Sequence, residues 1–298
     1  MTRLPVFRRN NNDKIANDIV LKTRIITALI LAPIAIGGIF FLPPLGFALF
    51  TGAIITIGAW EWANMSGLVT PAARVAYALL VAAVLYGLLN VPAVAVLWLA
   101  LVWWILCFLL VRSYPDGSDR WGSVPGRAIM GLLVLVPAWV GLNHIRTGGF
   151  QFGDTTNNLL VILYIFCVVW VADIGAYFAG RAFGKAKLAP RVSPGKSWAG
   201  VWGGLAAVAV FAVIVSTLAS ATVTQSLLLV VASLVTGLVS VLGDLLESML
   251  KRFRGIKDSS GLLPGHGGIM DRIDSLTAAI PVFALMITLL GWLTAGQW

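Results

Sequence analysis

Asp244, Glu247, Ser248 and Lys251 lie at helical spacing near the end of a long apolar run, and Asp271 and Asp274 follow, three apart, at the start of the next. Between them come Arg252, Lys257, Asp258 and Pro264-Gly265-His266-Gly267-Gly268, with Arg272 beside Asp271. Residues three and four apart share a helix face, so the first group points one way. A loop folding back between antiparallel neighbours carries Asp271 to the mouth where Asp244 lies. Converging carboxylates make a hard, all-oxygen site suited to Mg2+ together with a phosphate substrate. Asp244 falls about six residues, or roughly 9 Å, inside the membrane interface. An ionisable group at that depth costs several kcal/mol unless it faces a polar cavity or a partner. Structural readings cover part of the block: a Glu247–Lys251 ion pair at a helix end, and Asp274 as an N-cap before Ser275-Leu276. They leave Asp271 unexplained. The glycines around His266 permit close approach to an anion and positive φ, and equally describe a loop tip with a solvated histidine. Lys251, Arg252, Lys257 and Arg272 read either as snorkelling anchors to lipid headgroups or as phosphate ligands.

A second polar element begins with Asp173 and Tyr177, which share a helical face among small residues, and runs to Ser193-Pro194-Gly195-Lys196-Ser197. Its hydroxyls, Pro-Gly turn and cations suit a nucleoside triphosphate or a lipid phosphate, or simply a positive linker. Pro194-Gly195-Lys196-Ser197 lacks the upstream glycine of a Walker A loop and no strand is expected before it, so that reading fails.

The elements that must position these residues are membrane spans. Of 298 residues, 59% are hydrophobic and 11% charged, with mean hydropathy +0.93, against roughly 25% charged in soluble domains. Spans of about 20 apolar residues are predicted at 25–42, 45–65, 72–90, 92–111, 127–145, 158–181, 198–219, 226–250 and 274–294. The expected fold is an all-α polytopic membrane protein of about nine transmembrane helices, with the active site at cytosolic helix ends. Nine spans place 20 of the 21 Lys and Arg on one side and leave only Arg146 opposite. By the positive-inside rule that side, which holds the N-terminus, is cytoplasmic. The net charge of +9 therefore reports topology and contact with membrane lipids, not nucleic acid. Residues 1–24 form a basic cytosolic segment, 25–150 an N-terminal transmembrane region and 151–298 a C-terminal catalytic one. The first span reads as uncleaved. Cys107 and Cys167 read as small core residues, Glu61 between Trp60 and Trp62 as an interfacial belt residue, and His144 and Asp154 receive no role.

The run from Ser248 through Lys251-Arg252, Lys257-Asp258, Pro264 to Gly268 and Asp271-Arg272-Ile273-Asp274, with Asp173 to Phe178 and Ser193 to Ser197, resembles the phosphatidate cytidylyltransferase family of bacteria. The likeness covers roughly the last 130 residues; the first 150 match only as apolar spans. Ser197 stands where many members have Thr and keeps the hydroxyl. The resemblance implies an inner-membrane enzyme that joins CTP to phosphatidic acid, giving CDP-diacylglycerol and pyrophosphate, and a homodimer. It implies Mg2+ at Asp244 and Asp271, with Glu247 and Asp274 as further ligands, and allows a second, monovalent cation such as K+. It places Ser193, Lys196, Ser197, Ser248, Arg252, His266, Gly267, Gly268 and Arg272 at the substrates, Lys251 and Lys257 in the catalytic set, and Asp173 and Tyr177 in support. A phosphate monoester is already anionic at neutral pH, so the reaction needs charge neutralisation and in-line placement more than a strong base. Two rivals remain at this stage. An ion-coupled transporter predicts polar residues spread to both faces, and they cluster at one. A CTP-dependent lipid kinase would release CDP. A CDP-alcohol phosphotransferase pattern begins at Asp116-Gly117 but is not continued.

Overall fold

A computed structural model describes residues 27, 29–30 and 33–296 of the chain. The basic segment 1–24 and the start of the first predicted span lie outside the described residues. Residues 33–41 are helical (α1) and stop at Pro43-Pro44. Pro44 then opens α2 (Pro44–Ser66) from the first-turn position where a missing N–H costs nothing. Gly67, at φ 95°, ends α2 in the left-handed conformation. There follow α3 (Pro71–Gly87), α4 (Ala93–Ser113), α5 (Val124–Thr147), α6 (Asn158–Phe183), α7 (Trp198–Leu218), α8 (Val223–Arg254) and α9 (Met270–Leu289). Among the described residues, eight helices, α2 to α9, are long and apolar enough to cross a membrane.

Hydroxyl caps set several starts: Thr70 accepts from Ala73 N, Ser123 from Gly126 N, Ser197 from Gly200 N, and Thr222 with Gln225 forms a full capping box. Three predicted boundaries move by four or five residues. Helix α8 runs to Arg254 rather than 250, and α9 spans Met270–Leu289 rather than 274–294. Asp271 and Asp274 therefore both lie inside α9, and Asp274 is not its N-cap. The all-α expectation also needs a small correction. Two two-stranded antiparallel pairs occur, β1 (Gly149–Phe150) with β4 (Leu293–Thr294) and β2 (Lys187–Ala189) with β3 (Ser193–Ser197).

Helices α5 and α9 are the most enclosed, whereas large apolar side chains such as Leu79, Phe108, Trp202 and Leu218 are exposed on the outer helices. That inversion suits a lipid surround. The connections after α2, α4, α6 and α8 gather at one end. There Asp116 pairs with Arg191 at 3.6 Å, Trp121 packs on Phe253 with ring centroids 5.0 Å apart, and Arg252 Nε donates to Val192 O at 3.3 Å. At the other end β1 pairs with β4, Arg146 Nη2 donates to Leu42 O at 2.8 Å, and Asp154 N donates to Ala219 O at 2.9 Å. Every described Lys and Arg except Arg146 belongs to the first end.

Helices α6 and α7 touch through glycine. A Cβ at Gly204 would lie 2.7 Å from Ala172 O, a backbone atom that cannot swing away, and one at Gly175 would lie 2.8 Å from Gly203 O. Small residues at such contacts let backbones close on each other in a membrane. Gly204→Ala is expected to destabilise the fold by about 1–3 kcal/mol, as overpacking does, read as a lower melting temperature of the detergent-solubilised protein.

Candidate active site

Close approach at Gly243 builds the first half of the site. A Cβ there would lie 2.5 Å from Asp274 O and 3.0 Å from Ala278 Cβ, so α8 and α9 nearly touch one residue from Asp244. Asp274 consequently has Asp244 and Glu247 as electrostatic neighbours. Lys251, one helical turn beyond Glu247, places Nζ 2.7 Å from Asp271 Oδ1 and 3.5 Å from Glu247 Oε1. Ser248 Oγ donates to Asp244 Oδ1 at 3.0 Å. On the other oxygen of Asp244 sits Lys196, Nζ to Oδ2 2.7 Å, contributed by β3. The structure thus joins the two polar elements of the sequence through one ion pair.

The α8–α9 connection forms the second half. It turns at Leu263–Gly267, where Leu263 N donates to Gly267 O at 2.8 Å and His266 N to Leu263 O at 2.9 Å. Gly265 and Gly267 take φ of 73° and 83°, a region open to glycine but strained for other residues. Asp271 Oδ2 accepts from Gly268 N at 2.7 Å, Ser259 N at 3.0 Å and Ser259 Oγ at 2.9 Å. The start of α9 receives a second carboxylate from far away in sequence. Glu61, fully buried on α2, accepts from Met270 N at 2.7 Å, Ile269 N at 3.0 Å, Ser260 Oγ at 2.5 Å and Ser259 Oγ at 3.3 Å. The belt role expected for Glu61 is therefore wrong. Glu61 satisfies the amides of Ile269 and Met270 at the start of α9, while Asp271 takes that of Gly268 just before it, and this is why the helix starts before Asp274.

The remaining candidates divide. Arg272 directs Nε and Nη2 at His266 O, at 3.1 and 2.7 Å, and so braces its own loop, while His266 Nδ1 is buried with no hydrogen-bond partner among the described residues. Lys257 and Arg252 are exposed, the latter tied to the β2–β3 hairpin. Ser197 is buried as the α7 cap, and Ser193 is partly open in β3. Pro194-Gly195-Lys196-Ser197 is itself part of a strand, a feature its composition did not suggest. Gly267 lies against the Asp271 carboxylate, and Gly268 is enclosed between Ser259 and Glu61. A cavity of ≈ 400 Å³ opens beside the cluster, lined by Asp173, Tyr177, Gly180, Arg181, Gly195, Lys196, Ser197 and Gly200. Arg181 Nη1 reaches Tyr177 Oη at 3.4 Å on its wall. In the sequence Arg181 is one of the five cations of the second polar element and is not singled out as a site residue. A cavity of ≈ 330 Å³ at the opposite end, between Phe152, Tyr164 and Trp292, carries no charged lining and lies far from this chemistry.

Among the described residues no three Asp, Glu, His or Cys side chains stand together at metal-binding spacing. By donor chemistry the cluster nevertheless fits a hard cation. All its candidate ligands are oxygens, and among the described residues the buried Glu247 carboxylate is met only by Lys251, 3.5 Å from Oε1, and by the neighbouring Asp274 carboxyl. Carboxyl groups buried this close together are costly unless protons, cations or water meet them.

A sequence model described as the cytidylyltransferase family matches residues 22–290. The chain is 52% identical over 275 residues to the phosphatidate cytidylyltransferase of Pseudomonas aeruginosa, covering 92% of this chain and 99% of that one. It is 40% identical over 282 residues to that of Haemophilus influenzae, covering 89% and 98%. It is 37% identical over 270 residues to that of Brucella suis, covering 89% and 92%.

Proposed function

The chain belongs to the cytidylyltransferase family, and on that premise we propose how this bundle end makes CDP-diacylglycerol from CTP and phosphatidic acid. A phosphate oxygen of phosphatidic acid attacks the α-phosphorus of CTP. One P–O bond forms there, the bond to the bridging oxygen of the β-phosphate breaks, and pyrophosphate departs with that electron pair. The attacking oxygen is already anionic, so the protein's task is to hold two mutually repelling anions in line. The observation that carries the reading is the Lys196–Asp244 contact at 2.7 Å, which sets the cation-lined cavity directly against the carboxylate cluster. Lys196 and Arg181 face the cavity and suit the phosphates of a substrate. Lys257, exposed on the loop, suits the triphosphate as it arrives from water. Lys251 orients Asp271 and keeps the cluster from being purely negative. Asp244 and Asp271, with Glu247 and Asp274 beside them, are the residues that would hold Mg2+, which when bound supplies neutralising charge between the two anions.

The charge asymmetry supports placing this end, and the N-terminus, on the cytosolic face of a bacterial inner membrane. CTP then arrives from the cytosol, while the lipid keeps its acyl chains in the bilayer and presents only its headgroup.

Purified protein with α-labelled CTP, phosphatidic acid and Mg2+ tests the reaction. Label should enter a chloroform-soluble product as pyrophosphate appears. Label entering lipid only from γ-labelled CTP, with CDP released, would instead establish a kinase. In the same assay Lys196→Met is expected to lower kcat/KM by about 10–100-fold, the size of a charge-assisted hydrogen bond, with the melting temperature little changed.

A further inference from the structure

We propose that Glu61 is a positioning residue for this reaction, holding the α8–α9 loop and the start of α9 so that Asp271 and Lys251 meet in register. The inference rests on the functional reading above for its activity arm only. Glu61 sits in α2, about 200 residues from the loop it holds, and is 0% exposed. Each carboxylate oxygen takes one hydroxyl and one backbone amide. Oε1 accepts from Ser260 Oγ and Ile269 N, and Oε2 from Met270 N and, at 3.3 Å, from the Ser259 hydroxyl, whose one proton is shared with Asp271 Oδ2 at 2.9 Å. The two amides are unpaired donors of a helix start, where negative charge is also favoured by the helix dipole.

Among the described residues no cation forms a salt bridge with Glu61. Arg74, the nearest candidate, donates Nε to Trp60 O at 3.2 Å and stacks 3.3 Å above the Trp60 ring. Arg74 adds a longer-range attraction to Glu61, but the carboxylate's hydrogen bonds among the described residues all come from the loop and the start of α9. A loop that moved away would strand a carboxylate in an apolar span, at a cost of several kcal/mol. Ser259 passes the constraint on, because its N–H and its hydroxyl both reach Asp271 Oδ2, and Asp271 Oδ1 in turn holds Lys251. Gly268 closes the lock, since any side chain there would collide with both Ser259 Oγ and the Glu61 carboxylate.

Glu61→Gln conserves shape but turns an NH2 group toward one of the two backbone amides. The expected result is a kcat about 10–100-fold lower, as for a misplaced reacting group, with KM for CTP and for phosphatidic acid within about threefold. Amide hydrogen exchange across residues 259–270 should rise, while exchange in α5 and the core of α9 stays at the wild-type level. Ser260→Ala, which removes a donor from the loop side, should shift both readouts in the same direction by less. Wild-type kcat together with wild-type protection of Ile269 and Met270 in Glu61→Gln would overturn the proposal. So would exchange that rises uniformly through the bundle, which marks a general packing role. The exchange arm needs no turnover, so a wild type inactive in cytidylyl transfer would sink the functional reading and leave the positional one intact.

Discussion

Asp271→Asn is expected to lower kcat for cytidylyl transfer by about 10²–10³-fold, the scale on which a pre-organised electrostatic contact acts. The reason lies in how the carboxylate is used. Oδ2 gathers three donors from Ser259 and Gly268, and Oδ1 takes the Lys251 ammonium. An asparagine can keep its oxygen toward the three donors, but its NH2 then faces Lys251, donor against donor. Lys251 is left with Glu247, 3.5 Å away. The change removes one of the carboxylates proposed to hold Mg2+ and loosens the cation proposed to balance them. The α-labelled CTP assay on folded variant measures the effect. Activity within threefold of wild type would remove Asp271 from the working site.

Gly268→Ala should act almost as strongly by a different route. Its Cβ would enter space already held by Ser259 Oγ and the Glu61 carboxylate. Relief requires one of them to move, and Ser259 is bonded to Asp271 while Glu61 holds the first amides of α9. Overpacking of this kind costs about 1–3 kcal/mol, and the displacement is expected to reduce turnover by about 100-fold. Gly261→Ala, on the same loop, is the matched control, because nothing lies within 4 Å of its added Cβ. It should leave turnover and melting temperature near wild type. Equal losses in both variants would show that the loop needs glycine for flexibility and not for space.

The spans and the α8–α9 half of the candidate site were legible because charge inside apolar sequence is rare and must be explained. Seven of the nine predicted spans, 45–65 through 226–250, begin and end within about four residues of α2 to α8, since hydropathy and flanking Pro, Gly and Thr act locally. What could not be read depends on distant partners. The start of α9 is set by Glu61, 209 positions before Met270, so Asp274 looked like a cap. Glu61 itself sits between two tryptophans, the usual dress of an interface residue, although its burial in a span was the signal available. Arg272 looked like a phosphate ligand, yet its fork holds the His266 carbonyl. Its direction is a matter of loop geometry, which spacing does not encode. Arg181 was one cation among many until the α6–α7 packing placed it on the wall of a cavity.

Helix α8 has 32 residues and is therefore about 48 Å long, against a hydrocarbon slab of about 30 Å. It is continuous from its capping box to Gly255, so Asp244, Glu247, Ser248 and Lys251 ride on a rigid post. Their height is set by how the apolar length of that post matches the surrounding lipid, not by loop motion. The host bilayer thereby becomes a dimension of the enzyme. On the mechanism proposed above, its thickness decides how far a lipid headgroup must rise or sink to meet the carboxylates.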